Sequence, residues 1–432
     1  MSDTIFALSS AAGRAGVAVV RISGPKARAA LEALSQKPAP EPRRATLRQL
    51  RDASGVTLDD AVVLYFQAPA SFSGEDIVEL HLHGGRAIVE GVLAALGKLS
   101  GLRPAGPGEF TRRAVENGKL DLTQAEAIAD LIDAETESQR TQALAQYGGA
   151  LTELYEGWRA KLIRSVALAE ATIDFSDEEL PDGVSGEART LASEVLEQIQ
   201  GHLGDARRGE LTRDGLYLTV LGPPNSGKSS LVNVLAQRDV AIVSEAAGTT
   251  RDVVEVHLNL GGYAVIVADT AGLRDASEAV EAEGVRRALA RAESADLVLL
   301  LLDGSAADPQ APKVRADLAV WNKADRPWPE RREGLAISTK TGEGLQTLIE
   351  SISKQVRQKL ENRTGSPLLT RARHRHALEA AAAGLDRALS EPESELMAED
   401  LRLALREIGR ITGRVDVEDL LDVIFRDFCI GK

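Results

Sequence analysis

The chain has 432 residues, a length typical of two or three domains, and its formal net charge is −14. This acidic balance argues against a broad basic surface for nucleic acid. An aromatic content of 3% argues against a stacking platform for single strands. The single cysteine, Cys429, excludes an intrachain disulfide and a thiolate metal cluster. With no secretory signal and no apolar run long enough for a bilayer, we predict a cytoplasmic protein.

The first 118 residues combine short β-like runs with turns rich in glycine and proline. Strands are predicted at 17–22, 61–66 and 77–82, and a helix at 87–99. This mixture predicts a small α+β domain over residues 1–118.

Long helices are predicted from residue 119 to about 210 and again from 367 to the end. Thr123 and Glu126 form a capping-box signature directly before an amphipathic run. Apolar residues continue at helical spacing through Leu144, Tyr147, Leu151, Leu154, Trp158 and Leu162. We predict one discontinuous helical domain, 119–212 and 364–432, with Pro392 separating two helices of its second part.

Between these two parts, apolar runs alternate with helical patterns, as in a parallel α/β sheet covered on both faces. The predicted strands are 216–221, 264–268, 297–302, 318–321 and 335–337. We therefore predict an α/β domain over residues 213–363, inserted into the helical domain.

Residues 222–229 fit the pattern G-x4-G-K-[ST] between a strand and a helix, which predicts a P-loop. Its backbone N–H groups would surround phosphate, Lys228 would reach the β- and γ-phosphates, and Ser229 would hold Mg²⁺. The predicted nucleotide-binding set in this segment is Asn225, Ser226, Gly227, Lys228, Ser229 and Ser230.

Two further segments fit the switch regions of a GTPase. Asp269 would join the Mg²⁺ shell and Gly272 would sense the γ-phosphate, with Thr270 and Ala271 between them. In the first switch, Thr250 is the expected Mg²⁺ and γ-phosphate ligand.

The residue after Gly272 is Leu273 rather than a glutamine that could orient water. A compensating cation must therefore come from elsewhere. Arg251 or Arg274 would serve as an arginine finger, or a bound monovalent cation would take that place, with Asn225 offering its side-chain carbonyl.

A base-recognition motif follows the strand that ends near residue 321. Asp325, in Asn322-Lys323-Ala324-Asp325, can accept hydrogen bonds from the N1–H and the exocyclic amine of guanine. Adenine lacks both donors, so this carboxylate selects GTP. The Lys323 stem would cover the base, and the supporting loop is Ser338, Thr339 and Lys340.

The whole chain resembles the MnmE (TrmE) family of tRNA-modification GTPases. The resemblance rests above all on Asn-Gly-Lys-Leu-Asp-Leu at 117–122 and Phe-Cys-Ile-Gly-Lys at 428–432. Other matching runs lie at 13–17, 21–24, 83–85, 106–114, 248–252 and 269–274. It implies a P-loop GTPase (Ras-like) domain inserted into a helical domain, preceded by an α+β domain that binds folate and dimerises.

The resemblance also implies ligands for several residues. A 5-formyltetrahydrofolate or related one-carbon carrier would contact Arg21, Glu79, Lys119 and Lys432. Potassium, which activates the family through G-domain dimerisation, would be held by Asn225, Ser244, Ala246 and Thr249. Mg²⁺ would be held by Ser229 and Thr250. Glu281 would orient the catalytic water, and Cys429 would lie at the modification site.

The family activity implied is modification of the wobble uridine of tRNA at C5 with a carboxymethylaminomethyl or aminomethyl group. The protein would act as a homodimer, in a two-plus-two complex with an FAD-dependent partner, MnmG (GidA). That partner would carry FAD and NADH, because no Gly-x-Gly-x-x-Gly fingerprint for them is present in this chain.

An alternative is a ribosome-assembly GTPase that uses its nucleotide only as a switch. The basic cluster at 371–376 fits contact with RNA. Such proteins carry a KH-type basic appendage or a second P-loop, and the sequence has neither. Three features depart mildly from the family pattern: Pro223 and Ser226 in the P-loop, Thr339 in the supporting loop, and a short stretch from 323 to 338.

Overall fold

The structure, a computed structural model, divides into two compact units. The first unit comprises Met1–Ala129, Tyr155–Arg159 and Leu405–Lys432, and the second comprises Asp130–Leu154 and Ala160–Ala404. The predicted three-domain boundaries stay a prediction. The described residues are 3–174, 184–238, 240–242, 255–268, 295–309, 312, 315–330, 332–361, 369–415, 418–426 and 428–431.

The first unit contains a six-stranded sheet with the order β3-β4-β5-β2-β1-β6. The β1–β6 pair is parallel and the other pairs are antiparallel. Predicted strands 17–22, 61–66 and 77–82 are confirmed, whereas β1, β3 and β6 were not predicted. Strand β3 lies at the sheet edge and Leu47 and Leu50 are its two apolar residues, so no apolar run marks it. The strands are β1 (Thr4–Leu8), β2 (Ala15–Ser23), β3 (Thr46–Arg51), β4 (Thr57–Phe66), β5 (Ile77–Gly84) and β6 (Leu102–Pro104).

One face of this sheet packs against helices α1 (Ala27–Ser35) and α2 (Arg86–Gly97), the second of which was predicted. Because side chains alternate along a strand, the neighbouring residues point to the opposite face. There the register sets Val19, His81, Val62 and Leu47 side by side across four strands. Leu47 is 67% exposed and Val62 is 40% exposed, so part of this face is open and apolar.

Helix α3 (Glu109–Glu116) follows β6, and α4 (Leu122–Ile132) follows α3. The predicted cap at Thr123 and Glu126 is wrong. Asp121 accepts the Gln124 N–H at 2.9 Å, and the Gln124 side chain accepts the Asp121 N–H at 3.1 Å. The Asp121 carboxylate takes the capping position, and Thr123 already lies inside the helix, where it donates to that carboxylate.

The next helices do not form one continuous apolar stripe as predicted, because Gly148 and Gly149 separate two of them. Leu144 and Tyr147 before this break are exposed, whereas Leu151 and Leu162 after it are buried. The remaining helices confirm the predicted helical stretches on both sides of the α/β region. They are α5 (Glu137–Tyr147), α6 (Ala150–Asp174), α7 (Val184–Gly204), α8 (Ala206–Asp214), α11 (Ala372–Ser390), α12 (Ser394–Thr412) and α13 (Glu418–Arg426).

The second unit contains a six-stranded sheet with the order β12-β11-β10-β7-β9-β8. All its pairs are parallel except β8–β9. The five predicted strands are confirmed; β8 was missed because its apolar and polar residues alternate in a hairpin with β9. The strands are β7 (Leu216–Leu221), β8 (Glu255–Leu260), β9 (Tyr263–Ala268), β10 (Leu297–Asp303), β11 (Leu318–Asn322) and β12 (Leu335–Ala336).

Helices α9 (Lys228–Ala236) and α10 (Leu345–Leu360) pack against this sheet. Because parallel strands end at the same edge, the segments after β7, β10, β11 and β12 meet at one edge of the sheet. The two sheets and their helices confirm the predicted fold class. No helix in the described part of the chain is long and apolar enough to cross a membrane.

Candidate functional site

The loop between β7 and α9 has the backbone geometry of an anion site. Gly227 caps α9 at φ +100°, and a Cβ there would lie 2.3 Å from Asn322 Nδ2. Only glycine fits both restrictions. The first backbone N–H groups and the positive dipole end of α9, with Ser229 and Ser230 in its first turn, face this loop.

The Lys228 side chain folds over the same loop. Its Nζ donates to the carbonyl oxygens of Gly222 and Pro223, each at 2.9 Å. Asn225, at φ 62°, lies exposed in the middle of the loop. The loop therefore presents a cation, backbone donors and one exposed amide together.

Asn322, at the end of β11, joins the P-loop to the loop after β12. Its Nδ2 donates to the Ser226 carbonyl oxygen at 2.8 Å and to Thr339 Oγ1 at 3.3 Å. Its Oδ1 accepts the Thr339 N–H at 3.1 Å. Asn322 is 1% exposed, so these bonds are made without competition from water. One buried amide thus fixes the spacing between the two loops.

Asp325 lies exposed at the outer end of the same arrangement. Its Oδ1 accepts a hydrogen bond from Ser338 Oγ at 2.7 Å, and that hydroxyl oxygen accepts the N–H groups of Lys340 and Thr341. The Ser338 hydrogen bond holds the pKa of Asp325 below its usual value. At neutral pH the carboxylate is an acceptor only, suited to a ligand with adjacent N–H donors.

Asp303 is a neighbour of this site that the sequence motifs did not reveal. Its Oδ2 accepts from Lys323 Nζ at 2.5 Å, and its Oδ1 accepts from the backbone and hydroxyl of Ser305. Burial opposes ionisation, but the bonds from Lys323 and Ser305 outweigh it and lower the pKa of Asp303. The sequence signal that could have identified Asp303 is its position at the carboxyl end of strand β10, the edge where ligands bind in parallel sheets.

Several predicted residues lie outside the described residues. They are Ser244, Ala246, Thr249, Thr250, Arg251, Asp269, Thr270, Ala271, Gly272, Glu281 and Lys432.

A second cluster lies on the sheet of the first unit. Arg21 on β2 pairs with Glu79 on β5, with 2.9 Å from Nη2 to Oε1 and 3.2 Å from Nε to Oε1. The Arg21 guanidinium also lies 5.8 Å from the ring centroids of Phe72 and Phe110. His81 Nε2 lies 3.4 Å from Glu79 Oε2. The structure therefore brings Arg21 and Glu79 together and adds two rings and an imidazole that sequence reasoning missed.

Lys119 lies exposed beside the loop before β5. A Cβ on Gly74 would lie 3.3 Å from Lys119 Cε and 3.1 Å from Asn117 Cβ. Asn117 in turn donates from its side chain to the Ser73 carbonyl oxygen at 2.7 Å. Lys119 is thus tied to the segment that carries Phe72, without a direct bond to Arg21 or Glu79 in the described contacts.

The C-terminal residues 428–431 dock on the same unit. Cys429 O accepts the Gly108 N–H at 3.3 Å, and Ile430 forms a β-bridge with Pro107. Gly431 has φ +98° and lies so near Leu8 that a Cβ would be 2.1 Å from its carbonyl oxygen. Gly431 therefore lies beside β1, the strand that pairs with the Arg21 strand, and Cys429 is exposed.

Comparison with known proteins gives two family-model matches that together span nearly the whole chain. The "MnmE helical domain" model matches residues 122–429, and the "GTP-binding protein TrmE N-terminus" model matches residues 4–119. The chain is 55% identical over 446 residues to the tRNA modification GTPase MnmE of Parvibaculum lavamentivorans, covering 100% of both chains. It is 56% identical over 454 residues to the protein of that name from Rhodospirillum rubrum, covering 100% of this chain and 99% of that one.

Among solved structures, the chain is similar to the G domain of the T. maritima FeoB iron transporter. The identity is 24%, the match covers 32% of this chain and 97% of that one, and the TM-score is 0.24. A score this low carries no argument, and the strand order and loop geometry alone support the fold of the second unit.

Proposed function

The chain belongs to the MnmE family of tRNA modification GTPases, and on that premise we propose that it hydrolyses GTP to drive modification of the wobble uridine of tRNA. The proposed product carries a carboxymethylaminomethyl or aminomethyl group at uridine C5. The proposed partner is the FAD-dependent protein MnmG (GidA), in a two-plus-two complex, with FAD and NADH chemistry carried by that partner.

The observation that carries the GTP proposal is the buried Asn322 amide, which ties the P-loop to the Thr339 loop. The phosphate site would consist of the backbone at 225–230 and the Lys228 ammonium. The base site would consist of Lys323, Asp325 and the 338–340 loop. An ionised Asp325 fits guanine and repels the unpaired ring nitrogen of adenine, which is an acceptor.

Mg²⁺ would be held by Ser229 and Thr250, with Asp269 in its outer shell. Ser229 fits this role because it occupies the first turn of α9, next to Lys228. When bound, Mg²⁺ would neutralise charge on the phosphates. We propose that Thr270, Ala271 and Gly272 sense the γ-phosphate, that Glu281 orients the attacking water, and that Arg251 contributes a cation.

A potassium ion would be held by Asn225, Ser244, Ala246 and Thr249. The support is the position of Asn225, whose exposed amide at φ 62° offers a carbonyl oxygen beside the phosphate loop. The residue after Gly272 is Leu273 rather than a glutamine that could orient water. A monovalent cation beside the phosphate loop would supply the compensating positive charge. Closure of two G domains around it would activate hydrolysis.

A tetrahydrofolate one-carbon donor would bind in the first unit near Arg21. The residues present fit such a ligand: Arg21 is a cation for a carboxylate, Glu79 is an acceptor for pterin N–H groups, and Phe72 and Phe110 supply ring faces. Lys119 and Lys432 would supply further positive charge. Cys429, exposed on the docked tail, would lie at the site of modification chemistry.

We further propose that the first unit forms the homodimer. The support is the open face of its sheet, where exposed Leu47 and Val62 lie side by side in register. We propose three domains: 1–118 for folate and dimerisation, 119–212 with 364–432 for the helical part, and 213–363 for GTP. GTP-driven movement of the G domains would be transmitted through the helices to the one-carbon site.

Nucleoside mass spectrometry of tRNA from a strain lacking this protein tests the proposal. We expect loss of the C5-modified wobble uridine, restored by the wild-type gene and not by Lys228→Ala. Normal modification in the deletion strain would overturn the proposal and favour the ribosome-assembly alternative. GTPase activity that is equal in K⁺ and Na⁺ would overturn only the potassium part.

A further inference from the structure

Two tryptophan side chains make hydrogen bonds to the backbone of the short segment between β11 and β12. No helix occurs among residues 323–330 and 332–334. Trp321 Nε1 donates to the Glu333 carbonyl oxygen at 2.9 Å, and the Arg332 guanidinium lies 4.9 Å from the Trp321 ring centroid. Trp328 Nε1 donates to the Lys323 carbonyl oxygen at 3.1 Å. The two indoles therefore anchor opposite ends of this segment.

Lys323 is the first residue of the turn that carries Asp325. The Lys323 carbonyl oxygen accepts a hydrogen bond from the Arg326 N–H at 3.0 Å, which closes a turn over residues 323–326, and a second one from the Trp328 indole N–H. Lys323 itself is at φ 67°, a conformation that disfavours any residue with a side chain. A strained residue needs outside contacts to hold it, and the second bond to its carbonyl is such a contact.

The Trp328 ring also contacts the backbone directly after β10, next to Asp303 of the Lys323–Asp303 pair. A Cβ on Gly304 would lie 2.3 Å from Trp328 Cε2, so the indole lies directly on the Gly304 backbone. Gly304 follows Asp303 and donates its N–H to the Asn322 carbonyl oxygen at 2.9 Å. Trp328 thus bridges the segments after β10 and β11, which carry the two members of the Asp303–Lys323 pair.

We propose that Trp328 is a positioning residue for guanine recognition: it fixes the 323–326 turn and thereby aims the Asp325 carboxylate. This inference rests on the proposed guanine site at Asp325 and adds a residue to it. Trp328 acts through the Lys323 carbonyl and the Gly304 backbone rather than by touching the nucleotide. Its removal should weaken base selection more than hydrolysis.

The test is calorimetric binding of GDP and IDP to the full chain, with GTPase kinetics. IDP lacks the exocyclic amine of guanine. A displaced Asp325 carboxylate should therefore reduce the affinity for GDP more than the affinity for IDP. In Trp328→Phe, one hydrogen bond worth about 0.5–1.5 kcal/mol is lost, so GDP Kd should rise about 2- to 12-fold. The IDP-to-GDP ratio of Kd should fall, KM for GTP should rise, and kcat should stay within about twofold. Trp328→Ala should show a loss at least as large.

Trp321→Phe is the matched control, because it removes an indole hydrogen bond to the same segment, at Glu333, without touching Lys323. We expect GDP affinity in this control to equal that of the wild type. Equal losses in the two phenylalanine variants, or an unchanged IDP-to-GDP ratio in both Trp328 variants, would overturn the inference.

Asp325→Asn separates the inference from the site on which it rests. Asp325→Asn should abolish most of the preference for GDP over IDP. If Asp325→Asn kept that preference, the proposed guanine site itself would be wrong. If Asp325→Asn lost it and the Trp328 variants did not change it, only the role of Trp328 would be wrong.

Discussion

The P-loop edge of the second unit and the Arg21 cluster of the first unit are built in different ways. The P-loop edge consists mainly of backbone groups, fixed by positive φ angles and by one buried amide, Asn322. The Arg21 cluster consists of side chains on a half-open sheet face, where Arg21 and Glu79 are 21% and 17% exposed. Loss of the single Asn322 side chain should therefore disrupt the P-loop edge. Loss of a side chain from the Arg21 cluster should weaken ligand binding there and leave the fold intact.

The largest expected effect is that of Asn322→Ala. It leaves the Ser226 carbonyl and the Thr339 N–H without their buried partner, at about 1–3 kcal/mol for each group. We expect GDP affinity to fall about 100-fold or more, measured by calorimetry. Asn259→Ala is the control, since the Asn259 side chain accepts the Gly262 N–H in an exposed turn, and the GDP affinity of this variant should be normal. A normal GDP affinity of Asn322→Ala would show that the P-loop edge does not depend on this one amide and so does not differ from the Arg21 cluster in that respect.

Arg21→Ala should weaken tetrahydrofolate binding and leave GTP binding unchanged. A charge-assisted bond to a ligand carboxylate contributes about 1.5–3 kcal/mol, which corresponds to roughly 10- to 150-fold in Kd. Arg28→Ala is the control, because Arg28 pairs with Glu32 on an exposed helix surface of the same unit. Equal folate affinities in the two variants, measured by fluorescence titration, would show that Arg21 does not bind the folate.

Gly431→Ala should release the C-terminal tail. The variant meets both the cost of φ +98°, about 1–2 kcal/mol, and a contact of 2.1 Å with the Leu8 carbonyl oxygen. Hydrogen exchange of the Gly108 amide, which donates to Cys429 O, should become roughly tenfold faster or more. Gly118→Ala is the control: Gly118 also has a positive φ, +66°, but open space around the added methyl, so the Gly108 amide should exchange as in the wild type. An unchanged rate in Gly431→Ala would mean that this contact does not hold the tail.

The smallest expected effect is a shift in pH dependence. The Ser338 bond lowers the pKa of Asp325, so the ionised acceptor persists above that lowered pKa and is lost as the pH falls through it. Ser338→Ala removes the bond and raises the pKa towards its usual value, which moves the acid limb of GDP binding to higher pH. Thr341→Ala, whose side chain is outside this bond, should keep the wild-type limb. An identical limb in wild type and Ser338→Ala would show that another group controls it.

Sequence reasoning predicted the P-loop edge better than the Arg21 cluster. Gly227, Lys228 and Asp325 belong to short local motifs whose spacing encodes a backbone geometry. Arg21 and Glu79 lie far apart in sequence and meet because strands β2 and β5 pair in one register, and Phe110 joins them from helix α3. The register also decided which polar strands, such as β3 and β8, complete the sheets, and these were missed because they carry no continuous apolar run.

The sequence by itself determined the family, the fold class and the P-loop, because glycine positions, strand–turn–helix spacing and terminal motifs are read locally. Tertiary structure alone decided that Asn322 links two loops, that Asp303 holds Lys323, and that Trp328 braces the turn of Asp325. It also decided that residues 429–431 dock beside Leu8. Most of these contacts join residues 20 or more positions apart in the chain. Their energies depend on burial and distance, which only the folded arrangement fixes.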